Sequence, residues 1–203
     1  YTRNGNPVKI LADAVSTMLK NNTSDISHSY LKRAGGTWKG EAIEKYTFGD
    51  TEVDAQHFMA FMGIYLSEGY VSKKANKVQI TQRKEKEVQE IEDLLSKLPT
   101  LGFRKATRKN GTIDFVTSNK DLVDYLRPLG KSHEKYVPED IKNLSPNLLD
   151  ILTEWMLKGD GRNRHNHKGE LLREVYTTSK QMADDFSEIF FKLGSAASIT
   201  TRR

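Results

Sequence analysis

The chain has 203 residues, 36% of them hydrophobic, with a net charge of +5 and an isoelectric point near 9.2. That suffices to bury a core as one large or two small domains, leaves no run of 18 apolar residues to span a membrane, and favours polyanionic partners without requiring them. There is no cysteine, which removes disulfides, thiolate zinc sites and cysteine nucleophiles together and fits an intracellular setting.

In chain order, Val8, Leu11, Val15, Met18 and Leu19 recur at helical spacing, and Ile26, Tyr30 and Leu31 suggest a second short helix ending at Gly35-Gly36. Such a pair is either a helix-turn-helix that reads DNA through Ser27 to Arg33 or a packing arm. Gly36 to Asp50 reads as a connecting loop with one strand around Lys45 to Phe48. Asp54 is a good N-cap for an apolar helix that ends at Ser67-Glu68-Gly69. Strands are expected at Tyr70 to Ser72 and Lys77 to Gln82, then a charged helix from Lys84 to Leu98 that Pro99 stops.

Asn110-Gly111 is the strongest short hairpin signal in the chain. A two-residue loop pairs Lys109 with Thr112, Thr107 with Asp114 and Lys105 with Val116, which leaves Ala106 and Phe115 on the core face. A helix from Asn119 or Lys120 to Leu129 closes this half. After a connection from Lys131, Ser145-Pro146 makes an N-cap and N1 pair for a second apolar helix, ending Gly159-Asp160-Gly161. A basic, histidine-bearing turn, a strand from Leu171 to Thr178, a helix from Lys180 to Leu193 and a strand from Ala197 to Thr201 follow. Leu98 to Gly102 and Phe191 to Gly194 mark the same point in two copies of one unit.

Two mostly apolar helices each end in a carboxylate followed by glycine, Glu68 and Asp160. Packed side by side, they bring both acids together, and the pair is tolerable only with a divalent cation or a basic group between them. Gly63 and Ser67, four apart, supply a small-residue seam on the first helix; the second has Gly159 but also the bulky Trp155.

Phe61 to Gly69 and Thr153 to Gly161 resemble the paired motifs of the LAGLIDADG homing endonucleases, with Glu in place of Asp in the first copy and Trp155 where the motif usually has glycine. The resemblance, over about residues 36 to 203, implies an α+β fold of two pseudo-symmetric αββαββ(α) repeats, a saddle of antiparallel sheets with the motif helices at its centre. It divides the chain into an N-terminal helical arm and connecting loop (1–50), a first repeat (51–145) and an incomplete second repeat (146–203).

It further implies a monomeric, Mg²⁺-dependent DNA endonuclease of the sort encoded within inteins or introns, intracellular and DNA-associated. Mn²⁺ or Ca²⁺ would substitute in binding, and both strands of a long asymmetric duplex would be cut. The metal would lie on Glu68 and Asp160 with the carbonyls of Ser67 and Gly159. Lys135, 25 positions before Asp160 and ahead of a hydrophobic-Pro pair, would stabilise the scissile phosphate or position water, and Gln82 would join a water network there, with Ser179 as its counterpart. Gln79, Thr81, Lys105, Thr107, Lys109, Thr112 and Asp114 would face DNA from the first sheet, and Arg162 and His165 from the basic turn. Two alternatives stay open: a non-cleaving relative that regulates or assists RNA splicing, and a regulator that reads DNA through its amino-terminal arm.

Overall fold

A long helix buried on every side organises the computed structural model, which describes residues 38–201 apart from 73, 166, 168, 170 and 196, together with the backbone of residues 2, 3, 6 and 7. The chain divides into two compact units, Tyr1–Thr37 and Trp38–Arg203. In the first, β1 (Thr2–Arg3) pairs antiparallel with β2 (Asn6–Pro7); the helices expected between residues 8 and 31 lie outside the described residues.

The second unit opens with a hairpin of β3 (Lys45–Phe48) and β4 (Thr51–Asp54). The expected loop with a single strand is thus two strands, because Tyr46, Phe48 and Val53 alternate inward and are buried. The hairpin turn is held by Asp121, which accepts from Thr51 Oγ1 at 2.7 Å.

α1 (Ala55–Glu68) starts where expected: the Asp54 carboxylate accepts the His57 N–H at 2.9 Å. Phe58 to Leu66 are all buried, as a helix that is apolar all round requires. Phe58 stacks on Tyr46 and Phe48 at 4.6 and 5.0 Å between ring centroids, fixing the hairpin to the helix.

From the end of α1 the chain enters an antiparallel sheet of order β5-β6-β8-β7: β5 (Gly69–Ser72), β6 (Lys77–Gln82), β7 (Arg104–Thr107) and β8 (Ile113–Thr117). α2 (Glu85–Ser96) links β6 to β7, and α3 (Lys120–Leu126) follows β8, capped by Asn119 on the Leu122 N–H. Val78, Ile80 and Phe115 turn their side chains into the core.

The hairpin register differs from the expected one by one residue. Thr107 pairs with Ile113, Ala106 with Asp114 and Lys105 with Phe115. The loop has three residues, not two: Arg108 N–H bonds to Thr112 O, the Gly111 N–H returns to Arg108 O, and Gly111 takes φ +80°. A type I turn followed by a left-handed residue makes such a loop, and Asn-Gly serves it as well as the two-residue kind. Because side chains alternate, this single step exchanges the faces of β7.

α4 (Glu139–Lys142) lies in the connection, and α5 (Pro146–Asp160) carries the second motif. Ser145 makes no side-chain cap; its N–H instead bonds to Glu41 O at 2.8 Å. β9 (Gly161–His165) then pairs with β10 (Leu171–Val175), so the expected basic turn is a strand. α6 (Lys180–Lys192) closes the fold. Ala197 to Thr201, expected as a strand, carry no strand pairing. The first repeat explains why: the strand at this position, β7, pairs only with β8, never with β6, so its counterpart has nothing to join when the β8 counterpart is absent among the described residues.

α1 and α5 make the central contact of the unit. A methyl group at Gly63 would lie 2.5 Å from Leu152 O, 2.7 Å from Trp155 Cβ and 2.8 Å from Met156 N. Gly63 therefore takes up the bulk that Trp155 brings to the seam, and Gly159 does the same for Ser67. No helix among the described residues is long and apolar enough to cross a membrane.

Two outcomes are expected. Gly63→Ala gains helix propensity of up to about 1 kcal/mol, but its new methyl meets backbone that cannot yield, so urea unfolding should show a net loss of about 1–3 kcal/mol. Removing residues 1–37 should leave a cooperatively unfolding protein. Removing 1–50 also takes Tyr46 and Phe48 out of the core at about 3–5 kcal/mol for each large aromatic, and thermal unfolding that survives it intact would contradict the packing described here.

Candidate active site at the paired helix tips

Glu68 is the last residue of α1 and Asp160 the last of α5. The seam brings the tips together: a methyl at Gly159 would overlap Ser67 Oγ and lie 3.5 Å from Glu68 Cγ. Burial raises the pKa of both carboxyls above the ordinary range, and the Asp160 charge raises that of Glu68 further. Lys135 lowers both and Lys84 lowers that of Glu68, without cancelling the rise.

Lys135 is only 1% exposed. Its Nζ donates to Tyr65 O at 2.7 Å, Leu66 O at 2.9 Å and Gly69 O at 2.7 Å, which uses all three of its protons. Of these, Leu66 O is one of the carbonyls that the end of α1 leaves without a helical partner, whereas Tyr65 O also takes the Gly69 N–H. Burial pushes the ammonium pKa down to about 8, against the pull of Asp160 and Glu68. The lysine thus stands behind the acids and grips the main chain that carries Glu68, instead of reaching into the cleft.

The second repeat holds Lys135 in turn. Ser179, the N-cap of α6, accepts from Met182 N–H and donates to Lys135 O at 2.5 Å. Two residues on, the Val137 N–H bonds to the buried Asp185 carboxylate at 2.8 Å. Asp185 also receives Lys142 Nζ at 3.2 Å, which Glu139 and Glu188 share. Burial opposes the Lys142 charge, but its bonds to the three acids carry its pKa upward. The connection from Lys131 to Ser145 is thereby strapped to α6 with its lysine aimed at α1.

Ser67 Oγ bonds to its own helix, to Ile64 O at 3.0 Å and Gly63 O at 3.3 Å. Its carbonyl is not among the three that Lys135 holds. Gln82 Oε1 accepts the N–H groups of Arg83 and Lys84, so it caps the approach to α2. The strand registers also revise its counterpart: Gly69 pairs with Ile80 and Gly161 with Val175, which aligns Gln82 with Thr177 and Lys84 with Ser179. Beside Asp160, a cavity of about 300 Å³ is lined by Ser67, Ser132, Tyr176, Thr177 and Thr178. None of the last four stood out in the sequence, where scattered hydroxyls have no period.

The described residues contain no group of three or more His, Asp or Glu that would hold a metal alone. The donors brought together at the tips are the two carboxylates of Glu68 and Asp160. That suits Mg²⁺ or another hard cation, which keeps several waters and needs one or two carboxylates, and it does not suit a closed tetrahedral zinc site.

The first sheet turns Gln79, Thr81 and Asp114 away from the core. Thr81 Oγ1 donates to Asp114 at 2.8 Å, and Gln79 lies 3.2 Å from Thr81. Thr112 alternates onto the same face beside the loop, with Lys109 exposed in the loop itself. Lys105 and Thr107 do not join them: the shifted register puts them with Phe115 and Ile113 on the helix side, where Lys105 Nζ meets Glu92 at 2.6 Å. In the second sheet Arg162 and Arg164 share the outer face with Glu174, while alternation sets His165 on the helix side with Asn163 and Arg173.

Residues 55–130 match the family of the LAGLIDADG-like domain. No curated protein matches the chain. Among solved structures, I-DmoI in complex with DNA and Mn is 13% identical, with a TM-score of 0.51 over 74% of this chain and 85% of that one. The N-terminal LAGLIDADG domain of DUF199/WhiA is 8% identical, with a TM-score of 0.51 over 73% of this chain and 71% of that one. At such identity the likeness is one of fold. The family match starts at Ala55, the first residue of the buried central helix, and ends at Gly130, so this segment is a LAGLIDADG-like domain.

Proposed function

We propose that the protein is a site-specific DNA endonuclease of the homing type, which hydrolyses both strands of a long asymmetric duplex with divalent metal ions and acts as a monomer encoded within an intein or intron. The carrying observation is the meeting of Glu68 and Asp160 at the ends of two helices in van der Waals contact, each running directly into a sheet with a polar outer face. The net charge of +5 favours a polyanion at that surface, and the similar I-DmoI structure is a complex with DNA and Mn.

In this reading Glu68 and Asp160 hold Mg²⁺, with the Ser67 and Gly159 carbonyls beside them. Bound there, the metal would lower the charge repulsion of the phosphodiester, activate water and stabilise the leaving oxygen. Lys135 fixes the main chain on either side of Glu68 and offsets the charge of both acids. The hydroxyls of Ser132, Thr177 and Thr178 would order water at Asp160. Gln79, Thr81, Lys109, Thr112, Asp114 and Arg162 would meet DNA from the two outer faces.

A second reading, binding without cutting, draws on one observation: all three Lys135 protons are engaged by the main chain, so none faces a phosphate. One assay separates the two. With a site selected from a randomised duplex library and cloned in a supercoiled plasmid, the protein should cut in Mg²⁺ or Mn²⁺. Asp160→Asn should abolish cutting and keep binding that weakens with added salt. Cutting that survives the substitution removes the mechanism, and binding without any cutting by the natural chain establishes the second reading.

The raised carboxyl pKa values set a pH dependence. A carboxyl whose folded value exceeds its unfolded one contributes stability below the unfolded value and loses it as pH rises through the folded one. At pH 7, with chelator present, Glu68→Gln or Asp160→Asn should therefore stabilise the fold. Allowing for solvent screening of these half-buried groups, the gain is about 1 kcal/mol or less, roughly 2–4 °C at most in Tm. The gain should vanish near pH 4 and shrink when Mg²⁺ is added. Lower Tm for both variants at pH 7 would refute the proposed repulsion.

A further inference from the structure

Carboxylates are poor choices for a face that meets DNA, yet each sheet places one there. In the first sheet Asp114 sits on the outer face with its side chain only 12% exposed. In the second, Glu174 occupies the outer face with 24% exposed. An unpaired acid there would repel phosphate and weaken binding. Neither is unpaired.

Each acid holds the Nε edge of an arginine on its own face. Arg108 Nε donates to Asp114 Oδ2 at 2.6 Å and Arg164 Nε to Glu174 Oε1 at 2.7 Å. Each acid also takes a hydroxyl, from Thr81 at 2.8 Å and from Tyr176 at 2.8 Å. Burial works against the Asp114 charge, but the bonds from Arg108 and Thr81 hold its pKa below the usual range; hydrogen bonds from Tyr176 and Arg164 do the same for Glu174. Both arginines stay nearly half exposed, at 47% and 44% of their side chains.

A guanidinium anchored through Nε keeps one planar orientation, and its two Nη groups point onward. Beside a carboxylate its net charge is cancelled, which makes it a weak partner for phosphate. The edge it still fits is one with two neighbouring acceptors and no charge. In the major groove that edge belongs to guanine, through N7 and O6.

We infer that Arg108 and Arg164 are guanine-reading residues, one for each half of the DNA target, and that Asp114 and Glu174 are positioning residues that aim them. The inference rests on the DNA-binding reading above. It changes the part expected of Asp114, which acts through Arg108 and touches no base.

The experiment is enrichment of bound sequences from a randomised duplex library by the full chain and by four variants, with affinities measured on the recovered site at several salt concentrations. The natural chain should recover a site with a preferred guanine in each half. Arg108→Ala should lower the preference at one of these positions about tenfold or more, and Arg164→Ala at the other. Asp114→Asn and Glu174→Gln should relax the same position as their arginine partner, which a purely structural acid would not do. Conversely, a uniform loss across sequences with a salt slope reduced by about one would make the arginines phosphate contacts and overturn the inference. Unchanged base preferences in both alanine variants would overturn it too, while leaving the DNA-binding reading in place. Failure of the natural chain to enrich any sequence removes both.

Discussion

Negative charge collects where α1 and α5 end. A helix carries partial negative charge at its C-terminus, and here two C-termini lie side by side, each with a carboxylate as its last residue. Ordinary helix design puts acids at the other end. The arrangement persists because Lys135 lies beneath it, with its ammonium on three carbonyls of the α1 terminus. Burying that ammonium is itself costly, as its lowered pKa records. Three carbonyl acceptors and two nearby acids are what make the burial tolerable, so lysine and acids each depend on the other.

The strap between the repeats follows from this requirement. A lone buried lysine on a loose connection would trade its carbonyls for water. Ser179 pins its backbone, Asp185 pins Val137, and Lys142 ties the same aspartate to Glu139 and Glu188. All these anchors on α6 belong to the second repeat, while the carbonyls they deliver Lys135 to belong to the first. The Glu68 half of the site is therefore held partly by the other half of the molecule, independently of the α1–α5 seam.

Much of this was legible in the residues. Apolar runs ending in acid-Gly gave both central helices, and Asp54 and the Asn119–Lys120 start marked helix beginnings that the hydrogen bonds bear out. What was hidden was set by pairing at a distance. Asn-Gly suits hairpin loops of two and of three residues, so the chain could not choose between registers that exchange the faces of Lys105 and Thr107. Gly161 to His165 is too polar to look like a strand and becomes one by pairing with Leu171 to Val175. The three carbonyls under Lys135 are main-chain groups, which carry no sequence signal at all.

The same registers show how far the two halves have diverged. Aligned on Gly69 and Gly161, Tyr70, Gln79 and Thr81 of the first outer face stand where Arg162, Glu174 and Tyr176 stand in the second. Two of the three positions change chemistry, an aromatic facing an arginine and an amide a carboxylate, while Thr81 and Tyr176 each keep a hydroxyl on the acid of their face. Pseudo-symmetric backbones thus present unlike surfaces. The tips differ in the same sense. Glu68 lies on carbonyls gripped by Lys135, whereas Asp160 borders a cavity lined by hydroxyls and has its carbonyl bonded to the Tyr176 N–H at 2.8 Å. A main chain clamped from behind by an ammonium and a carboxylate beside a cavity are not equivalent environments.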